Sequence, residues 1–353
     1  MNTFFNAVIL RWYDQKKRDL PWRKTKDPFK IWLSEVILQQ TRVAQGLEYY
    51  LKFISNFKDV HELANADEDR VLKLWQGLGY YSRARNLHFT AKYISKDLHG
   101  IFPDTYSELI KLKGVGHYTA SAISSFCFDE KVAVLDGNVF RVLSRFFGLS
   151  DPINSSKGEK KFRELSAYVL PETNVDSYNQ GIMEFGALQC VPVNPSCEKC
   201  PLSDKCYALA NNEIKNLPIK IKKAKVEAVF MIFVVLISED SLVLRKREGK
   251  GIWQNLYEFP SLSSKTETET SAQLEGLLTE FKVNPEDFIF DSQQYTHLLS
   301  HRRIKAKFKV YKFSNPMESS VGELVNITDF ENYPIHRLMD KFVEDNPTLL
   351  KLD

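Results

Sequence analysis

Four of the five cysteines fall between Cys190 and Cys206, spaced C-x6-C-x2-C-x5-C. Thiolates are ligands for soft metals. A short loop holding Pro192, Pro195 and Pro201 could wrap four of them around one tetrahedral ion or one cubane cluster. Zinc ribbons generally use two C-x2-C knuckles, and only Cys197–Cys200 forms one here. The spacing therefore leans toward iron and sulfide, with zinc as the alternative. Clustering this tight points to metal rather than to the disulfides of a secreted chain. Cys127, in an apolar helical stretch, is expected to be a packed core thiol.

Two carboxylates stand out by their company. Glu35 is the only acidic residue in Ile31–Leu38, among Trp32, Leu33, Val36, Ile37 and Leu38. A carboxyl group in apolar surroundings holds its proton more readily, as a general acid near neutral pH must. An exposed glutamate on the polar stripe of a helix is the bland alternative. Asp136 precedes Gly137-Asn138 between an apolar run and a helical one, where Asp136 or Asn138 could equally be a helix N-cap. Upstream, Gly114-Val115-Gly116 can turn the backbone tightly at the start of a helix. Its N–H groups and the helix dipole would suit an anion such as a DNA phosphate. Alone, a Gly-x-Gly turn is weak evidence.

Elements must hold these groups in place. Apolar residues recur at helical spacing in Ile31–Ile54, Val71–Leu78, Leu87–Leu98 and Val132–Phe147, so residues 1–214 read as one helical domain. Residues 215–226 carry Lys215, Lys220, Lys222, Lys223 and Lys225 without an acidic residue, and read as a basic linker. Beyond it, 227–353 reads as a smaller α+β domain. Val229–Ile237 and Leu242–Leu244 resemble a hairpin, and 262–272 a polar loop. Arg303, Lys305, Lys307 and Lys309 alternate with Ile304, Ala306, Phe308 and Val310, which predicts a strand with one core face and one basic face.

The 353 residues suit two domains. With 48 basic and 45 acidic residues, the net charge of +3 neither demands nor excludes nucleic acid. The longest apolar run, Ala228–Ile237, is about half of the roughly 18 residues a membrane-spanning helix needs. Arg11 and Asp14 interrupt the N-terminal apolar stretch before any cleavage-site pattern. A cytoplasmic protein without a membrane partner is expected, monomeric by default.

Hairpin, aspartate and four-cysteine loop, in this order, resemble the helix-hairpin-helix DNA glycosylases with an iron–sulfur cluster, over about Pro28 to Cys206. Within that superfamily the endonuclease III-like members carry a nucleophilic lysine two residues after the second hairpin glycine; here that position is Tyr118. Leu20-Pro21-Trp22-Arg23, the run from Trp32 to Thr41, the run from Gly77 to Leu87, and Phe185-Gly186-Ala187 are similar to the MutY-type adenine glycosylases. So are the run from Trp253 to Pro260 and Leu299-Ser300-His301, in what resembles that family's Nudix-like C-terminal domain. Leu299 departs from the usual Phe-Ser-His. The closely spaced glutamates of true Nudix hydrolases are missing, so nucleotide hydrolysis is not expected there.

The resemblance implies removal of adenine mispaired with 8-oxoguanine or G in double-stranded DNA, from a base flipped out of the stack. It implies Glu35 as general acid, Asp136 stabilising an oxocarbenium-like sugar, Asn138 orienting Asp136, and Tyr118 supporting the same step by hydrogen bonding. Arg23 and Gln180 match adenine-pocket positions, the latter a Glu in some relatives, and Trp22 and Leu38 are counted among the substrate contacts. Gln40 and Tyr80 match wedging residues, Thr41 lies near the 8-oxoguanine, Gly114 and Gly116 meet a phosphate, and Ser300 and His301 read the lesion. Cys190, Cys197, Cys200 and Cys206 would hold a [4Fe-4S] cluster. Tyr81 is expected to pack in the core. An endonuclease III-type glycosylase/lyase and a non-catalytic iron–sulfur DNA-binding protein are the rival readings.

Overall fold

A computed structural model describes residues 2–221, 227–299, 302–313 and 322–349. Two compact units share the chain: Met1–Ala64 with Phe89–Lys222, and Asn65–His88 with Lys223–Asp353. Residues 65–88 are flanked in sequence by the first unit on both sides, yet they pack with the second.

The first unit is helical. The Pro28–Leu38 helix starts where the Asp27 side chain accepts from Phe29 N at 3.0 Å and Pro28 fills the first position. The helical period read over Ile31–Ile54 is interrupted: Gln40 takes φ 57°, and a second helix runs Val43–Asn56. The His117–Phe128 helix follows the hairpin. Only Gly114, at φ 81°, needs the left-handed region; Gly116 is extended, and a side chain there would meet nothing. Of Val132–Phe147, only Gly137–Phe147 is helical, because Asp136 caps it. This helix packs with Val175–Leu188 around Phe5, Ile9, Leu143, Phe162, Tyr178 and Phe185. Each such side chain contributes about 1.5–3 kcal/mol when fully buried.

The chain after the cysteine loop is not a plain tether. Leu217 O accepts from Arg145 Nε at 3.1 Å, Ile219 O from Ile153 N at 3.0 Å, and Ile221 exchanges two hydrogen bonds with the Asn154 side chain. Lys222, Lys223 and Lys225 lie outside the described residues.

The second unit holds eight strands among the described residues: β1 (Glu227–Ile237), β2 (Ser241–Lys246), β3 (Tyr257–Glu258), β4 (Ser261–Ser264), β5 (Phe288–Asp291), β6 (Tyr295–Leu298), β7 (Arg302–Lys312) and β8 (Glu323–Asn326). The path is β3-β2-β1-β7-β5, with β4 on β1, β6 on β7 and β8 on β2. β1 and β2 pair antiparallel as the expected hairpin, and β1 and β7 pair in parallel along their length.

One sequence expectation fails here. Residues 262–272 are not a loop: β4 is followed by a helix, Glu267–Ala272, because the Thr266 side chain accepts from Glu269 N and supplies a cap. β7 has the expected core face and basic face, and neighbours partly cover the basic one. The parallel register sets Lys305, Lys307 and Lys309 beside Phe230, Ile232 and Val234, and Leu277, Leu278 and Phe281 pack on Ile232 and Val234. Lys307 pairs with Glu267 and Lys309 with Asp291, both at 2.8 Å. The alternation was real, since Ile304, Ala306, Phe308 and Val310 are buried. On the other face Arg303 is exposed, and Lys305, Lys307 and Lys309 are half-buried. Tyr81 is buried in this unit as expected, its hydroxyl donating to Ile335 O at 3.1 Å.

Candidate active site

Glu35 sits on the last turn of the Pro28–Leu38 helix, pointed inward because its neighbours Trp32, Leu33, Val36 and Ile37 are buried. Its own exposure is 5%. Burial pushes its carboxyl up to about 7, and nearby Asp136 pushes the same way, while Tyr118 and Arg23 pull against them. Tyr118, in the first turn after the hairpin, donates its hydroxyl to Glu35 Oε2 at 2.5 Å.

Asp136 is the N-cap of the Gly137–Phe147 helix, so the N-cap alternative is correct as geometry. Its Oδ1 accepts from Asn138 N at 2.9 Å and Val139 N at 2.7 Å, and its Oδ2 from Asn138 Nδ2 at 2.7 Å. Capping does not remove it from the site. Asp136 lines the same hollow as Glu35, and its carboxyl lies above the usual range because burial outweighs those three N–H groups. Asn138 is itself held, its Oδ1 accepting from Arg141 Nη2 at 2.9 Å.

The hollow measures about 440 Å³. Trp22, Arg23, Leu38, Thr41 and Gln180 line it together with Glu35, Tyr118, Asp136 and Asn138. Trp22 is buried, edge-on to Tyr50. A second hollow of the same unit, about 910 Å³, shares Glu35, Tyr118 and Asp136 and continues past Gln40, Gly114 and Gly116. The structure thus gathers both carboxylates, the tyrosine and the hairpin around one place. Tyr80 belongs to the second unit, where it is 48% exposed at φ 48° and borders a hollow with Trp253, His297 and Leu298. Ser300 and His301 lie outside the described residues.

Sequence reasoning missed Arg18, Glu184 and Tyr13. Glu184 is 1% exposed on the Val175–Leu188 helix, and grips Arg18 at 2.6 Å and Arg23 at 2.8 Å. Burial alone would raise its carboxyl, but the guanidinium hydrogen bonds from Arg18 and Arg23 hold it at about 2. Tyr13 donates to Gln180 Oε1 at 3.0 Å. The signal available for Glu184 was the one that found Glu35: a lone carboxylate between apolar residues, here Ile182, Met183 and Phe185.

Residues 33–167 match the HhH-GPD superfamily of base excision DNA repair proteins, and residues 231–345 match the NUDIX domain. An adenine DNA glycosylase of Buchnera aphidicola subsp. Schizaphis graminum is 36% identical over 330 residues, 93% of this chain and 89% of that protein. The chain belongs to the adenine DNA glycosylases. Human adenine DNA glycosylase is 38% identical over 61% of this chain and 41% of its own. Among solved structures, a thermostable thymine-DNA glycosylase aligns at a TM-score of 0.56 and 30% identity, over 60% of this chain and 97% of that one. The glycosylase is therefore a base excision repair enzyme that removes adenine, built as a helical helix-hairpin-helix unit followed by a Nudix-like unit. Among the described residues no helix is long and apolar enough to cross a membrane.

The cysteine loop has a donor set that fits a thiolate-bound cluster. All four thiols are free of disulfides and half-buried, and Cys190, Cys200 and Cys206 rest against the core of the helical unit. Arg145 donates to Cys190 Sγ at 3.5 Å and to Val191 O and Pro192 O, while Arg141 donates to Cys190 O at 2.7 Å. Two buried guanidiniums thus hold the loop's first segment and place positive charge where thiolates would be stabilised. Among the described residues, no three His, Cys, Asp or Glu side chains are grouped as ligands of a single metal ion.

Proposed function

We propose that this glycosylase removes adenine paired with 8-oxoguanine, or with G, from double-stranded DNA by hydrolysing the N-glycosidic bond of a flipped-out nucleotide. The observation that carries the reading is the pairing of Glu35, pushed up to about 7, with Asp136, whose carboxylate is held by three N–H groups at the rim of the same hollow. Environments that differ around two carboxyl groups assign them different tasks. Glu35 donates a proton to a ring nitrogen of adenine, which leaves the base as a better leaving group. Asp136, fixed by its cap geometry, faces the positive charge that develops on the sugar and stabilises it. Tyr118 occupies the place where a lyase would keep its amine, so the chain's own residues offer water, activated by Glu35, as the nucleophile.

Arg23, Trp22, Gln180 and Thr41 would bound the base in this hollow, with Leu38 at the end of Glu35's own helix. Gln40, exposed and held at φ 57°, would wedge into the opened stack, and Tyr80 would do so from the second unit. Gly114 and Gly116 would meet a phosphate through backbone N–H groups. Reading of the opposite base is assigned to Ser300 and His301. Cys190, Cys197, Cys200 and Cys206 would hold a [4Fe-4S] cluster, which is typical of this branch of the HhH-GPD glycosylases. It would supply a rigid cross-link of the loop rather than chemistry on the base. Excision on duplexes with adenine opposite 8-oxoguanine, G and T, followed by alkali, tests the reading. Equal rates on all three would refute the partner assignment.

A further inference from the structure

Two guanidiniums and one carboxylate line the same hollow as Glu35, and their net charge matters for it. Glu184 accepts from Arg18 Nε at 2.8 Å and Nη2 at 2.6 Å, and from Arg23 Nη1 at 3.0 Å and Nη2 at 2.8 Å. Arg18 N also donates to it, at 3.0 Å. With its carboxylate in place the trio carries one net positive charge; without it, two. Arg23 is the member of the trio that acts electrostatically on Glu35. Its guanidinium is kept by two restraints, the fork on Glu184 and the hydrogen bond from Nη1 to Arg18 O at 3.1 Å, over the Tyr13 ring at 5.6 Å.

We propose that Glu184 is a positioning residue for base excision: it anchors Arg18 and Arg23 and neutralises one of their charges, so that Glu35 keeps the proton it must donate. The inference rests on Glu35 being the general acid. The other groups facing Glu35 are Tyr118 from the helix after the hairpin, Asp136 from the cap of the next helix, and the Cys127 thiol. Around the trio stand Tyr13 and Asp176, while Lys24 and Lys26 on the rim are bound to Asp19 and Asp129. None of these supplies a second anion to the two arginines. A cation left without its partner, in surroundings of low dielectric, favours the ionised form of a neighbouring carboxyl. Loss of Glu184 would therefore deprotonate Glu35 at lower pH, and loss of Arg18 would do the reverse.

The test is the pH profile of single-turnover adenine excision, at saturating enzyme, for the wild type, Glu184→Gln, Arg18→Gln and Glu35→Gln. Glu184→Gln should move the alkaline limb down by about one pH unit, and Arg18→Gln should move it up, each by the scale of one nearby charge. A merely structural Glu184 would lower the rate at every pH and leave the limb in place. That outcome in both variants overturns the proposal. If Glu184→Gln does not fold, Arg18→Gln decides alone, since Arg18 is partly exposed at the rim: an upward shift supports the proposal and an unmoved limb refutes it. Excision by Glu35→Gln near the wild-type rate would instead refute the assignment of the acid, a separate failure.

Discussion

The hydroxyl of Tyr118 lies 2.5 Å from Glu35 Oε2, joining residues 83 positions apart across two helices. The bond stabilises the ionised acid, whereas burial stabilises the protonated one, and burial wins. Tyr118→Phe removes the opposing contribution. Glu35 should then hold its proton to higher pH, and the alkaline limb of excision should rise by about one unit. The maximal rate should fall, because the carboxyl loses its orienting partner. A limb that stays put in a pH series from 5 to 9 would mean that Tyr118 does not act through Glu35.

Asp136 combines a cap with a charge, and the two can be separated. Asparagine caps a helix about as well as aspartate does. Asp136→Asn keeps an oxygen for Asn138 N and Val139 N but turns an NH2 toward Asn138 Nδ2, so the melting temperature should fall by no more than that one contact while excision drops about 10²–10³-fold, the scale of a preorganised electrostatic contact. A loss of stability as large as the loss of rate would reduce Asp136 to its cap.

Gly186 faces Asn138 so closely that an added Cβ would stand 2.7 Å from Asn138 Cβ and 3.0 Å from Asn138 O. Gly186→Ala should push Asn138 off Asp136. Overpacking of this kind costs about 1–3 kcal/mol of stability. Excision should suffer more, since small misplacements of catalytic groups cost as much as about 10²-fold in rate. Thermal melting and single-turnover rates on one preparation would show whether activity falls faster than stability.

What could be read from the sequence was whatever depended on short spacing. The cysteine loop, the hairpin glycines and the lone Glu35 are local patterns; Glu35, Gly114 and Gly116 line one hollow, while Cys190, Cys200 and Cys206 rest against the core of the helical unit. Glu184 was overlooked because its meaning depends on Arg18 and Arg23, which are more than 160 residues away. The packing of residues 65–88 with the C-terminal unit had no local sign either, since their helical period is the same whichever partner covers it. On β7 the alternation and both faces were legible, but the carboxylates that pair with Lys307 and Lys309 were not. A period of two says which residues share a face, and nothing about what covers that face.

Purified protein should be yellow-brown, with iron and sulfide near four each per chain if the loop holds a cubane. Cys200→Ala should lose the colour and lower the melting temperature of the helical unit, because Arg141 ties the loop to Asn138. Stoichiometric zinc in anaerobically prepared protein would contradict the assignment.

Ser300→Ala with His301→Ala should narrow the preference for 8-oxoguanine over G by roughly ten- to hundredfold, the scale of one good base contact. On β7, Lys307 and Lys309 are engaged with Glu267 and Asp291, so phosphate attraction by that strand would fall to Arg302, Arg303 and Lys305. Binding and excision on the two duplexes, measured side by side, give the ratio. If it does not change, the lesion is read elsewhere, with Gln40 and Thr41 as the candidates.

The most direct measurement is single-turnover excision on a duplex with adenine opposite 8-oxoguanine, comparing the wild type with Glu35→Gln, with and without alkali. The account predicts abasic sites that break only on alkali treatment for the wild type, and a rate lower by about 10²–10⁴-fold for Glu35→Gln with duplex binding retained. Strand breaks without alkali, or a Glu35→Gln rate near that of the wild type, would contradict it.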